Sequence, residues 1–483
     1  MSGTNETLMG KLKNDKMLVQ RIAYACGCFG HDVFYAMLGP YFMIFVTSNL
    51  FNTEDNKFNL YMIGLVTTLI LIIRVGELVI DPYIGNTIDK TKTRWGKFKP
   101  YVLVGGAIGA ICLAALFTDF GGLALKSPTM YLILFAIVYL IMDIVYSAKD
   151  VAIWSMIPAL SFDSREREMT ATYARIGSVF GGQLVTVIVM PLVLFFSINQ
   201  NGGAGDPRGW FAFACIGGAL SVAGAVILSI WTKEQQSELR ENKQETGFKD
   251  VFKVLLQNDQ LMWIALAYLI LGFGWNIVNN FNIFYFIYVL GDSTKFSYLG
   301  IINVIIGLAA VALFPVLTKK FSRRGLFFVS IVIMLIALVF YSMAGKNLAM
   351  TLFSAGLFAL PQPLIFLVVL MTITDTVEYG QLKLGHRDEA LVLCVRPLID
   401  KFSGAVTSSM VGFTAIWAGM VSGAKPEDIS PEGIMRFKTI MFAAPIVLII
   451  AGTLLYRAKV KLTEEEHARI VKELEEKWAE IKK

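Results

Sequence analysis

The stretch RVGELVIDPYIGNTIDKTKTRWGKFKP (residues 74–100) decides how the rest of the chain is read. Its first part ends an apolar run that begins near residue 59 and carries Arg74, Glu77 and Asp81. Its second part is a short turn bearing Lys90, Lys92, Arg94, Lys97 and Lys99. An apolar run of about 20 residues is long enough to cross a bilayer, and basic residues beside such a run stay on the cytoplasmic side. The composition agrees: of 483 residues 55% are hydrophobic and only 17% charged, with a mean hydropathy of +0.61. Soluble domains carry about 25% charged residues. A water-soluble enzyme, a disordered chain and a secreted disulfide scaffold are therefore excluded. Cys26, Cys28, Cys112, Cys215 and Cys394 all lie in apolar runs, too scattered for a disulfide framework or a zinc site. No nucleophile or metal motif supports catalysis, so no enzyme activity and no cofactor are expected.

Working outward, apolar stretches fall near 20–48, 59–86, 100–118, 131–158, 168–198, 209–231, 261–289, 297–318, 325–344, 347–377, 389–420 and 435–457. The spacing predicts an all-α integral membrane protein with twelve transmembrane helices. The first twenty residues are polar, with Lys11, Lys13 and Lys16 and no cleavable apolar core, so no signal peptide is expected. Basic residues cluster after the second, sixth and eighth stretches, the last with Lys319, Lys320, Arg323 and Arg324. Alternate loops carry about one each, such as Lys57, Lys126 and Lys346. This alternation predicts an even number of spans with both termini cytoplasmic, and assigns the net charge of +6 to the membrane surface rather than to nucleic acid.

The turn at 85–100 has a weaker counterpart, PVLTKKFSRRGLF (315–327), about 230 residues later. The expected organisation is a six-helix bundle at 1–231, a linker at 232–260, a second six-helix bundle at 261–457 and a tail helix at 458–483. The tail reads as a solvated or membrane-lying amphipathic cap.

Ionisable groups at membrane depth cost several kcal/mol unless paired or facing water, so each needs a reason. They are His31 and Asp32 in the first span; Arg74, Glu77 and Asp81 on one face of the second; Asp143, Ser147, Asp150 and Trp154 on one face of the fourth, beside Lys149; Arg175 in the fifth; and Arg396, Asp400 and Lys401 in the eleventh. The first half thus sets Asp32, Glu77, Asp81, Asp143 and Asp150 against Arg74, Lys149 and Arg175. An excess of acids suits a cavity that takes up a cation, because a carboxyl in a low-dielectric wall binds a proton readily. Structural pairing between helices is the alternative, favoured for Arg74 and Asp143 and disfavoured for Glu77 and Asp81. Trp154 near Asp150 suggests a sugar site, an aromatic plate with a carboxylate acceptor, though an interfacial anchor reads equally well.

RVGELVIDPYIGNTIDKTKTRWGKFKP (74–100), DIVYSAKDVAIWSMIPALSFDSRERE (143–168), YARIGS (173–178), DTVEYGQLKLGHRDE (375–389), FGHDVFYA (29–36) and RPLIDK (396–401) together resemble the glycoside–pentoside–hexuronide:cation symporters. That family includes the melibiose permeases and, on the nearer branch, the lactose permeases of lactic acid bacteria. The resemblance runs through all twelve spans and implies the major facilitator fold, in which two bundles alternate access to a midplane site. It implies galactoside:cation symport, with galactoside exchange, in the bacterial plasma membrane. By the resemblance, Asp32, Asp150, Trp154, Arg175 and Tyr146 bind sugar, and Glu77, Asp81 and Ser147 form the cation site. Lys401 is a movable counter-charge between the two. His386 and Glu389 influence coupling or are ordinary loop charges. Asp89 with Arg94, and Asp375 with Glu378, make gate contacts.

Two departures bear on the cation. Ile80 stands where the melibiose branch has an asparagine, and Glu77 stands where it has an aspartate. Losing an amide oxygen removes a sodium ligand, so H+ is the expected coupling ion, with weak Na+ binding at Glu77 and Asp81 as the alternative. The expected partners are a small galactoside, H+ and the lipid bilayer, with the protein a monomer or loose dimer. Some relatives on this branch continue into a histidine-phosphorylated domain. The sequence stops at Lys483, so no such domain is expected, and His467 is read as a lone surface residue. A carrier for another glycoside (a xyloside or glucuronide), an exporter of lipid-like solutes and a sugar sensor without transport remain open.

Overall fold

The computed structural model describes residues 2–51, 53–161, 163–199, 205–235, 251–292, 295–418, 427 and 429–481. Most of the linker expected at 232–260, residues 236–250, lies outside the described residues. Two compact units, Met1–Gln236 and Ser237–Lys483, make up the chain. The first holds α1 (Ser2–Ala36), α2 (Asn56–Lys90), α3 (Lys99–Leu116), α4 (Pro128–Leu160), α5 (Ser164–Phe196) and α6 (Pro207–Trp231). The second holds α7 (Asp259–Phe284), α8 (Phe296–Ala344), α9 (Leu348–Ala359), α10 (Pro361–Leu384), α11 (Val395–Trp417), α12 (Pro431–Lys459) and α13 (Glu464–Ile481). There is no strand among the described residues.

Eight helices among the described residues are long and apolar enough to cross a membrane. A ninth is α5, whose segments Ser164–Val185 and Val187–Phe196 meet at 44°. Pro191 accounts for the bend, because its ring clashes with the carbonyl four residues back and removes an N–H from the ladder. The stretches expected at 297–318 and 325–344 run together in α8. They are separated at Ser322, whose φ of 58° and ψ of 163° interrupt the helix within the basic turn. Such a φ is uncommon for a residue with a side chain.

In the first unit α1 packs on α5 and α6, α3 on α4 and α6, and α2 on α4. Glycines set the closest of these approaches. A Cβ on Gly177 of α5 would stand 2.1 Å from the carbonyl oxygen of Ala25, and one on Gly181 2.3 Å from that of Phe29. On the adjacent face of α1, Gly30 lies against the Leu220 carbonyl and Gly224 of α6 against that of Cys26, each leaving 2.6 Å to a would-be Cβ. With no water between lipid-embedded helices, such small-residue contacts hold backbones together by dispersion and close fit. At one end of the unit Phe42, Phe45, Phe117, Phe135 and Trp210 form a buried aromatic cluster, Phe117 stacking on Trp210 at 5.9 Å. Asp206 caps α6 there: its Oδ1 accepts from Gly209 N at 2.9 Å and its Oδ2 from Ile198 N at 2.7 Å. Burial opposes the Asp206 charge, but these backbone donors hold its carboxyl below the usual range.

In the second unit α7 packs on α12 and α11, and α8 on α9 and α10. The tail helix α13 is docked rather than free. Leu462, Ile470 and Leu474 pack against Tyr379 and Leu382 of α10.

Candidate functional site

The glycine contacts fix α1 so that His31 and Asp32 face α4. Tyr24 donates to the carbonyl of Ile153, and Tyr146 donates to the carbonyl of His31, so two buried tyrosines tie α1 to α4. The Tyr146 ring lies between aromatic neighbours, stacked on His31 at 4.7 Å and on Phe34 at 4.1 Å. Tyr146 therefore helps form the wall of the site and fixes the direction of α1.

Asp150 lies one turn further along α4. Its Oδ1 is 3.1 Å from Nε2 of His31. Lys149, fully buried, donates to Ser221 Oγ of α6 at 2.7 Å and interacts electrostatically with Asp32 and Asp150. Arg175 of α5, Asp32, Asp150 and Lys149 all act electrostatically on Cys28 at the centre of the group. The sugar-site candidates Asp32, Asp150 and Arg175 thus converge around α1, and Trp154 follows one turn beyond Asp150 with 4% exposure. One Asp32 carboxylate oxygen, Oδ2, is buried and has no hydrogen-bond partner among the described residues.

The cation candidates adjoin this group through α4. Ser147, three residues before Asp150, donates a hydrogen bond to Asp81 Oδ1 of α2. Asp81 is fully buried and Glu77 nearly so. Arg74 donates to Tyr35 OH at 3.2 Å and interacts electrostatically with Glu77, so the structural pairing weighed for it involves a tyrosine of α1 as well as an acid. Asp143 is buried one turn before Ser147.

Other candidates lie elsewhere. Asp89 accepts from Lys97 Nζ at 2.7 Å, whereas Arg94 is exposed, so the contact expected of Asp89 with Arg94 is made with Lys97. Lysine 97 lies on the near arm of the same turn, and that turn is held by Glu234, which accepts from the N–H groups of Lys97 and Phe98. Lys401 is half-buried on α11 in the second unit, next to Asp400, which pairs with Arg396 at 3.0 Å.

Two readings of the second unit need correction. His467 is buried at 2% exposure, not a lone surface residue; its Nε2 lies 3.3 Å from Glu378 and 3.7 Å from Asp375. The amphipathic face of α13 turns inward onto α10 and carries the histidine with it. The GHRDE turn is likewise no ordinary exposed loop. Arg387, at 1% exposure, bonds Glu389 at 2.6 Å, Glu378 at 2.8 Å and Gln381 at 2.9 Å. Burial opposes the Arg387 charge, but Glu378 and Glu389 outweigh it and raise its pKa. Asp375 pairs with Arg323 at 2.6 Å. His386 Nδ1 lies 2.5 Å from Asp388, and this hydrogen bond, against partial burial, raises its pKa above the ordinary histidine value.

Sequence reasoning gave His31 no role beyond its depth and missed the clustering of Arg387, Arg323 and His467. For His31 the signal was present in FGHDVFYA, where a histidine precedes the site aspartate at membrane depth. For His467 there was none, because Glu378 lies on a different helix; for Arg387 the partners Glu378, Gln381 and Glu389 stand within nine residues of it, and that local cluster of opposite charge was the signal.

These geometries define an all-helical membrane carrier of the major facilitator fold. The solved structure of the proton:xylose symporter XylE matches with a TM-score of 0.63 at 15% identity, over 94% of this chain and 98% of that one. The family described as MFS/sugar transport protein matches residues 23–464, and the chain belongs to it. It is 50% identical over 465 residues to the lactose permease of Lactobacillus delbrueckii subsp. bulgaricus, covering 96% of this chain and 74% of that protein. It is also 50% identical over 466 residues to the raffinose carrier protein of Pediococcus pentosaceus, covering 96% and 72%. The protein is thus a multi-pass sugar transporter of the bacterial plasma membrane and not an enzyme.

Proposed function

We infer that the chain is a galactoside:proton symporter with twelve membrane spans, cytoplasmic termini and alternating access, able also to exchange galactosides. The observation that carries this reading is the placement of Asp81–Ser147 and His31–Asp150 on consecutive turns of α4. One helix, α4, then bears both the hydroxyl that donates to the acid that would take up the proton, Asp81 of α2, and the acid that would accept sugar hydroxyls, Asp150. The galactosyl class follows from the lactose and raffinose named for the two relatives.

In this reading Glu77 and Asp81 exchange the coupling proton. Neutralising Asp81 weakens its charge-assisted bond from Ser147 and lets α4 readjust around Asp150. Asp150 and Asp32 accept sugar hydroxyls, Arg175 donates to them, and Trp154 offers its face to the ring CH groups. Lys401 is the movable counter-charge. Each ligand then favours the state in which the other binds, and the coupling is reciprocal. Ile80 supplies no oxygen ligand, which supports H+ over Na+.

The experiment is galactoside uptake into sealed vesicles under a proton gradient or a sodium gradient imposed separately. Accumulation driven by the proton gradient is expected; uptake driven by sodium alone overturns the assignment. Loss of galactoside binding in Asp150→Asn is the matching test of the sugar site.

A further inference from the structure

The sugar-site reading leaves His31 unused, although it is the side chain bonded to Asp150 across the α1–α4 contact. Tyr146 stacks on its ring with planes 2° apart and donates its hydroxyl to the His31 backbone carbonyl, and the residue is 5% exposed. Nε2 therefore has one direction to point, at Asp150 Oδ1, and as a donor to a carboxylate it carries the proton in the neutral ring. Nδ1 is buried with no hydrogen-bond partner among the described residues. A group fixed this tightly, with one nitrogen committed and the other bare, acts on its partner's geometry and charge.

Resting on the sugar-site reading above, we propose that His31 is the positioning residue of Asp150: its Nε2–H fixes the carboxylate's orientation for a galactosyl hydroxyl. The charged and titratable groups around it are Asp150, Tyr146 and Lys149 on α4 and Arg175 on α5. On α1 itself are Tyr24, Cys28, Asp32 and Tyr35, the last leading to Arg74 of α2; α6 contributes the neutral Ser221.

The test is equilibrium binding of a labelled galactoside to the purified full chain, compared across wild type, His31→Gln, His31→Asn, His31→Ala and Asp150→Asn. Glutamine places an amide N–H where Nε2 stands, whereas asparagine reaches only the position of Nδ1. His31→Asn and His31→Ala should weaken binding about tenfold or more, the scale of a lost hydrogen bond to a charged group, and His31→Gln should restore most of it. If His31→Asn fails to fold, the contrast between His31→Gln and His31→Ala still decides the matter. Wild-type affinity in His31→Asn, or His31→Gln as weak as His31→Ala, overturns the proposal. Normal binding by Asp150→Asn would instead overturn the sugar-site reading, whatever His31 does.

Discussion

Arg387 Nη2 lies 2.8 Å from Glu378 Oε1, and the two side chains are 1% and 2% exposed. The same guanidinium reaches Glu389 at 2.6 Å, so one cation joins α10 to the turn that follows it. Glu378 also meets His467 of the tail helix. The arrangement links the GHRDE turn, the end of α10 and α13 through a single buried arginine.

Removing that cation should be costly. Arg387→Leu takes the guanidinium from two buried carboxylates, and breaking a buried pair in this way costs about 3–5 kcal/mol. Thermal unfolding of the detergent-purified protein should show a large drop for Arg387→Leu. Arg387→Lys should fall between it and wild type, because lysine keeps the charge but not the fork of donors. A wild-type melting curve for Arg387→Leu would contradict the network.

The His386–Asp388 contact predicts a pH effect of definite sign. The folded-state pKa of His386 is raised, first by its hydrogen bond to Asp388. Its contribution to stability is therefore complete below the unfolded value of about 6.5 and is lost as pH rises through the higher folded value. With only three histidines in the chain, NMR titration of the ring can be assigned by substitution. Asp388→Asn should move the midpoint back toward the ordinary value.

The α1–α5 contact should not tolerate a methyl group. In Gly177→Ala the new Cβ would stand 2.1 Å from the Ala25 carbonyl, so the helices must separate. Overpacking of this kind costs about 1–3 kcal/mol. Because His31 and Asp32 ride on α1, galactoside affinity should fall with stability. Gly182→Ala, with nothing within 4 Å of its new Cβ, is the control and should leave both unchanged or slightly improved.

The coupling site should separate accumulation from exchange. Glu77→Gln is expected to abolish proton-driven accumulation while keeping exchange of internal for external sugar. Ser147→Ala removes the donor to Asp81, a bond worth about 1.5–3 kcal/mol, and should lower the accumulation ratio without abolishing binding. Counterflow and gradient-driven uptake in the same vesicles distinguish the two effects.

The docked tail can be released selectively. Ile470→Asp combined with Leu474→Asp removes two side chains whose burial is worth about 1.5–3 kcal/mol each. Trypsin should then cut at Lys472 and Lys477 faster than in wild type. Unchanged cleavage would mean that the helix is held by other contacts.

The class of protein was legible in the chain because lipid imposes a one-dimensional rule: runs of apolar residues must span, and basic residues collect beside them. Depth alone also marked Asp32, Glu77, Asp81, Asp150 and Arg175 as needing a reason. Helical periodicity alone places Ser147 and Asp150 on a common face.

Pairing across helices was not legible, since the energy of a charge depends on which side chain stands opposite it rather than on its neighbours in sequence. His467 reads as a surface residue on an amphipathic helix until that helix is seen docked, with the histidine against Glu378. Arg387 reads as a loop charge until Glu378 and Glu389 close around it. The sequence alone determined a polytopic sugar carrier with an acid-rich first half. Only the tertiary structure decided that Ser147 of α4 reaches Asp81 of α2 and that His31 of α1 faces Asp150, because each pair joins two helices and only their packing sets the distance at which those groups meet.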